Sequence, residues 1–320
     1  MSESQKISLH LKHLIERSVF ADFSAHQLGL LADVQSIEPL KMLFNDSSCD
    51  VWRLNKAAGQ KSLIAKTFKE QEHRSPFWLA MSELFAVDLL QSLYKAPQFY
   101  PLVQSLSCLE VPKVAGSEMH NDRAFVVLSE LFGESVVADE VSDKQVEQLA
   151  QFMAGMHQVS AVKTGALWSN IETGELIDSA AEDWKLALKR CFSRLELTQN
   201  LGEIESRNIE KQLESIGSER VVPLMMDLRW DQFAAKDSQL VGLFDLDAYV
   251  FAPVELDFVM LEYLLDKSQL ELFKNSYQAW SEYSIPDLEK VREVYRTLFY
   301  LMNALGEPDY EKWMARPKLF

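Results

Sequence analysis

A change of hydrophobic period near Gly133 limits the architectures open to this chain. Before it, short runs rich in β-branched and apolar residues recur. VWRL at 51–54 and SLIAKTF at 62–68 flank a turn-like AAGQ and predict a hairpin. VPKV at 111–114 and AFVVLSEL at 124–131 predict two further strands around a polar GSEMHND loop. The one helix in this stretch starts at Pro76, with Trp78, Met81, Phe85, Leu89 and Leu93 spaced by three or four. After Gly133 the period is helical. Ser142 with Gln145 is a capping-box signature, and Val146, Leu149, Met153, Met156 and Val159 make one helical face. Helical patterns continue over 179–197, 203–216 and 256–305, with Pro286 placed where a helix can start. Two short apolar runs, VVPLMM (221–226) and LVGLFDL (240–246), interrupt them and predict one hairpin. The expectation is an α+β chain of two lobes: residues 1–131 with a small antiparallel sheet, and residues 132–320, larger and mostly helical. A length of 320 residues suits two lobes.

Charge narrows the partners. The chain carries a formal −16, so nucleic acid and anionic membrane surfaces are repelled and a cationic small molecule is favoured. Three cysteines, Cys49, Cys108 and Cys191, are widely spaced and include no CxxC, which argues against a disulfide framework or a zinc site. No signal-peptide pattern opens the chain and no window approaches 18 uninterrupted apolar residues, so the expected location is the cytoplasm. Neither a GxSxG elbow nor a GxxxxGK[ST] loop occurs.

The densest chemistry lies in LMMDLRWDQFA, 224–234. Asp227 follows an apolar run directly, and Asp245 does the same in LFDLD about 18 residues on. Two neighbouring strands can bring two such carboxylates to one edge. Phosphoryl transfer needs that arrangement: one carboxylate orients the attacking hydroxyl, and a second holds magnesium against the nucleotide phosphates. Gln232 can add a carbonyl oxygen to the metal, and Asp247 is a further candidate ligand or a solvated carboxylate. In the first lobe Lys66 sits mid-strand in LIAKTF, where an unpaired ammonium is costly. Glu83 on the following helix is the favoured partner, with Glu70 and Glu72 as rivals. Arg229 has a local salt bridge as its default, with a substrate role left open. Asp257, opening a helix, would brace the loop of Asp227 by accepting backbone hydrogen bonds. His157 has the pattern of a core histidine. Trp184, Trp280 and Trp313 fit the helical core or a substrate pocket. Asp183 with Glu182, and Glu255, Glu262 and Asp266, either attract a cation or form solvated helix faces.

Taken in order, these parts resemble the protein-kinase-like fold, in the branch of the aminoglycoside and choline phosphotransferases. The matching segments are the Lys66 strand, the Glu83 helix, VVLSELFG (126–133), LAQFMAGMH (149–157), MMDLRWDQ (225–232) and FDLDAYVFAPVELDF (244–258). The resemblance spans about 44–262 and implies a two-lobed fold using ATP and Mg²⁺. It implies adenine held by backbone near Ser129, Glu130 and Leu131, and phosphates contacted by Lys66 and by the Ser47 and Ser48 hydroxyls. It implies Asp227 as the catalytic carboxylate, Asp245 with Gln232 and Asp247 on the metal, and Pro253 and Asp257 in support. The departures are Met225 and Met226 where the family has histidine and glycine, Gln232 for its asparagine, and the glycine-free FNDSSCDVW loop. Two functions follow: an ATP-dependent kinase acting on the hydroxyl of a small molecule, or a kinase-fold pseudoenzyme serving as a nucleotide-binding or interaction module.

Overall fold

A computed structural model of the protein describes residues 33–40, 48–57, 59–68, 75–120, 123–169, 178–196, 211–214, 216–217 and 220–320. They divide into two compact units. One draws on the described residues within 33–68, Leu89–Pro101 and Pro112–Leu131, the other on those within 75–88, Leu102–Val111 and Phe132–Phe320.

The first unit is built on a five-stranded antiparallel sheet in the order β1-β2-β3-β5-β4. Its strands are β1 (Val34–Pro39), β2 (Cys49–Lys56), β3 (Leu63–Phe68), β4 (Val114–His120) and β5 (Arg123–Ser129). The predicted hairpin is β2–β3, with Val51 opposite Lys66. One sheet face packs Val34, Leu54, Ala65, Phe125 and Val127 together. Side chains alternate along a strand, so Lys66 emerges on the other face, next to its cross-strand neighbour Val126. The outermost β4 departs from expectation. VPKV was predicted as strand and GSEMHND as loop, yet the strand is VAGSEMH. An edge strand has one neighbour and open flanks, so polar residues are tolerated there.

The helix predicted from Pro76 through Leu93 is two helices, α1 (Pro76–Phe85) and α2 (Leu89–Leu106). Ala86 stops α1 in the left-handed region at φ 54° and donates its N–H to the Ser82 carbonyl at 3.1 Å. Spacing alone cannot reveal this break, because both helices bury the same apolar series. In the second unit follow β6 (Glu134–Ser135), α3 (Asp143–Met156), β7 (Gly165–Ala166) and α4 (Asp178–Glu196). Next come β8 (Val221–Met225), β9 (Phe233–Lys236), β10 (Gln239–Leu243) and β11 (Tyr249–Pro253). Four helices complete the chain: α5 (Glu255–Leu264), α6 (Lys267–Trp280), α7 (Arg292–Leu301) and α8 (Tyr310–Met314). The capping box forms as predicted, with Ser142 and Gln145 satisfying each other's backbone. Pro286 starts no helix; the carboxylate of the next residue, Asp287, closes a turn onto the Glu289 N–H at 2.9 Å, and α7 begins at Arg292. Of the helix expected over 203–216, residues 201–210 lie outside the described residues and 211–213 are helical.

The largest correction concerns the strands of this unit. The two apolar runs do not pair with each other. β8 pairs with β11 and, through it, with β7, while β10 pairs with β9 and, through it, with β6. Two three-stranded sheets therefore replace one hairpin. YVFAP at 249–253 supplies the missing partner, fully buried and in register from Tyr249 opposite Met225 to Pro253 opposite Val221. Among the described residues no helix is long and apolar enough to cross a membrane.

Candidate active site

Asp227 stands two residues beyond the end of β8, and Asp245 two beyond the end of β10. Their segments are joined at both ends. Met226, just before Asp227, donates its N–H to the Ala248 carbonyl at 3.1 Å. Phe244, just before Asp245, donates to the Gln232 carbonyl at 2.8 Å. The β9–β10 hairpin closes the second segment through a two-residue turn, Asp237 and Ser238, both at positive φ (50° and 58°). The two loops are thus fixed side by side by backbone bonds, with no side chain required for their approach.

Burial alternates along the first loop. Leu228, Trp230 and Gln232 are buried, while Asp227, Arg229 and Asp231 keep part of their surface open. Arg229 has an extended backbone, φ −148° and ψ 154°, and Trp230–Gln232 continue as a single 3₁₀ turn. Trp230 anchors the buried side by donating its indole N–H to the Leu264 carbonyl at 3.2 Å. Gln232 Nε2 donates to Asp227 Oδ2 at 3.0 Å. In the second loop the Asp247 N–H donates to Asp245 Oδ1 at 3.1 Å, and Asp247 itself is buried.

Electrostatics set these groups apart from ordinary carboxylates. The Asp227 carboxyl is pushed up to about 7, first by its enclosure and next by the negative charge of Asp245, with Asp247 and Asp231 adding to it. The Arg229 guanidinium opposes the rise. An acid that ionises near neutrality, beside three more carboxylates, is what a proton-accepting site with a cation nearby requires.

Other predicted residues stand as follows. Lys66 is 4 % exposed on β3. Glu83, on α1, receives an ion pair from Arg194 of α4, a residue 111 positions away that no local pattern links to it. Ser48, just before β2, is half-buried, and Ser47, Glu70 and Glu72 lie outside the described residues. The Ser129 N–H is taken by the Lys113 carbonyl at 2.8 Å, and the Glu130 carboxylate accepts Arg53 Nε at 2.7 Å. Leu131 is buried. Asp257 differs from its expected role: its carboxylate meets His157 Nε2 at 2.9 Å, while His157 Nδ1 meets the Tyr277 hydroxyl at 2.9 Å. His157 is wholly buried, a satisfied core histidine. Burial holds the Asp257 carboxyl above its ordinary range, and the bond to His157 moderates that. Met225 and Met226 are core residues, as are Trp184 and Trp313, whereas Trp280 is exposed. Two of the acids expected to attract a cation or face solvent have structural partners: Asp266 caps α6, and Glu262 is buried against Arg292 and Arg296, whereas Glu255 keeps a buried carboxylate oxygen without a hydrogen-bond partner. The local salt bridge expected of Arg229 forms, and its partner is Asp231. The signal for that partner was the strict charged–apolar alternation of DLRWD.

A family model described as the phosphotransferase enzyme family matches residues 44–294. The chain belongs to this family. Among solved structures, the macrolide 2′-phosphotransferase MphH from Brachybacterium faecium is 11 % identical over 91 % of this chain and 98 % of its own, with a TM-score of 0.56. The APH(2″)-IIa protein of a gentamicin complex is 16 % identical over 88 % and 89 %, with a TM-score of 0.54. Macrolide 2′-phosphotransferase type I is 13 % identical over 91 % and 94 %, also at 0.54. Identities this low establish shared fold, and the fold is the α+β, kinase-like one that the motifs imply. No curated protein sequence matches the chain.

For a phosphotransferase of this family a magnesium ion is implied, and the residues fit one. Among the described residues no group of three or more His, Cys, Asp or Glu side chains forms a metal cage. Magnesium asks for no such cage, since one or two carboxylates plus nucleotide phosphates are its usual protein-side complement. Asp245 and Asp247 could supply the carboxylates. Gln232, with its amide nitrogen spent on Asp227, turns its oxygen into an available ligand. The mutual repulsion that raises Asp227 is what a dication would relieve.

Proposed function

We propose that this family member is an ATP-dependent phosphotransferase that moves the γ-phosphoryl group to a hydroxyl of a small molecule. The observation that carries the reading is the Asp227 carboxyl, tuned to about 7 and oriented by Gln232 beside Asp245 and Asp247. Asp227 accepts the hydrogen bond of the acceptor hydroxyl and takes its proton as the new phosphorus–oxygen bond forms. Asp245, with Gln232 and Asp247, holds magnesium, which when bound neutralises charge on the phosphates. Lys66, buried on β3, contributes its ammonium to the α and β phosphates. With Ser129 N–H committed to the Lys113 carbonyl, adenine is met by the backbone of Glu130 and Leu131. The −16 net charge supports an acceptor that is cationic. The protein operates in the cytoplasm.

The pseudoenzyme reading draws on Gln232 Nε2 being engaged with Asp227, which suits a purely structural amide. Thermal-shift titration with ATP, with and without magnesium, followed by ATP consumption on a panel of hydroxylated amines, separates the two. Magnesium-dependent stabilisation with turnover that Asp227→Asn abolishes supports the enzyme. Stabilisation with no turnover on any acceptor or on water supports the pseudoenzyme, and no response to nucleotide defeats both.

A further inference from the structure

We infer that Arg229 is a catalytic residue that grips the oxygens of the phosphoryl group in transit, with Asp231 as the residue that positions it. This rests on the phosphotransfer reading of Asp227. The geometry behind it is local. Arg229 Nε and Nη2 meet the two carboxylate oxygens of Asp231 at 3.0 Å and 2.8 Å, a two-pronged fork between residues two apart. Both side chains are partly open, at 29 % and 20 % exposure, and both lie close enough to Asp227 for their charges to act on it. Trp230 between them is buried and pinned to Leu264, so the fork stands on a fixed base.

A stability role explains this poorly. A partly exposed ion pair contributes little, and placing Asp231 here adds a fourth carboxylate to Asp227, Asp245 and Asp247. A role in transfer explains both. The guanidinium is planar and matches phosphate oxygens in a way an ammonium does not. Asp231 fixes its orientation before the reaction, so little ordering is lost when charge develops. In the step itself, the bond from the γ-phosphorus to the β–γ bridging oxygen breaks, and its electron pair leaves with ADP. The bond from the acceptor oxygen to phosphorus forms, and the acceptor proton passes to Asp227. The non-bridging oxygens, flattening toward a planar arrangement, are the ones Arg229 meets.

The test needs no knowledge of the acceptor. Binding of ADP with magnesium is compared with binding of ADP, magnesium and aluminium fluoride, a planar stand-in for the phosphoryl group. In the wild type the fluoride tightens binding. Arg229→Met leaves affinity for ADP and magnesium within about 3-fold and removes at least about 30-fold of the fluoride gain. Arg229→Lys, retaining charge without the fork, and Asp231→Asn, releasing the fork, each lose an intermediate share. Once an acceptor is found, the same order should appear in kcat, with KM for ATP nearly constant. A full fluoride gain in Arg229→Met and Arg229→Lys overturns the assignment while leaving Asp227 and the phosphotransfer reading intact. Absence of any fluoride gain in the wild type overturns the reading together with the assignment.

Discussion

Glu262 and Asp227 belong to the same unit and are treated in opposite ways. Glu262, wholly buried on α5, accepts five hydrogen bonds. Its Oε1 takes Arg292 Nε at 3.1 Å and the N–H groups of Leu319 and Phe320 at 2.9 Å and 3.4 Å. Its Oε2 takes Arg296 Nε at 3.1 Å and Nη2 at 2.6 Å. Arg296 in turn donates to the carbonyls of Met314, Arg316 and Pro317. The carboxylate is met on both oxygens by two guanidinium groups, and the last residues of the chain are fastened in the process. Asp227 has a single amide donor, one opposing guanidinium and three carboxylates around it. Where charge serves architecture, it is neutralised within the chain. Where it serves chemistry, the compensation is left for what arrives.

That contrast breaks most readily at Asp227. Asn has the same shape but accepts no proton, so Asp227→Asn should lower kcat by about 10³-fold or more, while the protein stays folded and binds nucleotide. Single-turnover kinetics with near-stoichiometric ATP reads this. A loss under about 10-fold would remove Asp227 from the chemistry. The mirror experiment is Glu262→Gln. It leaves two buried guanidinium groups without a counter-charge and should destabilise the protein by about 3 kcal/mol. In urea the midpoint should fall at an unchanged slope. The fraction that remains folded should turn over at a normal rate, which would separate architectural charge from catalytic charge.

The same comparison has a pH signature. Folded Asp227 holds its proton up to about 7, against an ordinary value of 3.8. Between those values the folded chain binds more protons than the unfolded one, so the stability contribution of this group falls as pH rises through that window. Asp227→Asn removes the dependence. Relative to wild type the variant should gain nothing near pH 4 and on the order of 2 kcal/mol above pH 7, after allowance for solvent screening on the open side of the carboxyl. The gain in stability should accompany the loss of activity. Correspondingly, wild-type kcat/KM should rise with pH along an acid limb near 7 that reports the free enzyme. A flat profile from pH 5.5 to 8 would count against Asp227 as the proton acceptor.

What could be foreseen in the chain follows the range of the interactions. The β2–β3 hairpin and the Ser142 capping box are specified within a few residues, and both formed. Asp227 and Asp245 could be singled out because each follows an apolar run directly. Their juxtaposition was foreseen, but through the wrong pairing. The β8–β11 contact lies beyond the hairpin that intervenes, and nothing in VVPLM distinguishes one apolar partner from another. Glu83 meeting Arg194, and Asp257 meeting His157, are contacts across about 100 residues or more, set by helix packing that short motifs do not encode. The polar strand β4 escaped notice because an edge position removes the alternation on which strand recognition depends. Arg229 and Asp231 were legible in principle, since DLRWD alternates in a period of two.

A third polar arrangement lies between the two carboxylates in its demands and gives the smallest expected effect. Ser142 accepts the Gln145 N–H at 3.2 Å, returns its own N–H to Gln145 Oε1 at 2.8 Å, and donates its hydroxyl to the Ser238 carbonyl at 2.9 Å. It therefore caps α3 and also holds the β9–β10 turn that leads to Asp245. No charge is involved, and the site is open to water, which can replace a lost bond. Ser142→Ala should cost about 1 kcal/mol, with Ser142→Thr recovering most of it. If the cap acts on α3 alone, kcat stays at the wild-type value. A fall in kcat beyond the stability change would mean that the Ser238 turn transmits to the Asp245 loop. The neutral cap would then belong with Asp227 on the chemical side of the molecule, not with Glu262 on the architectural one.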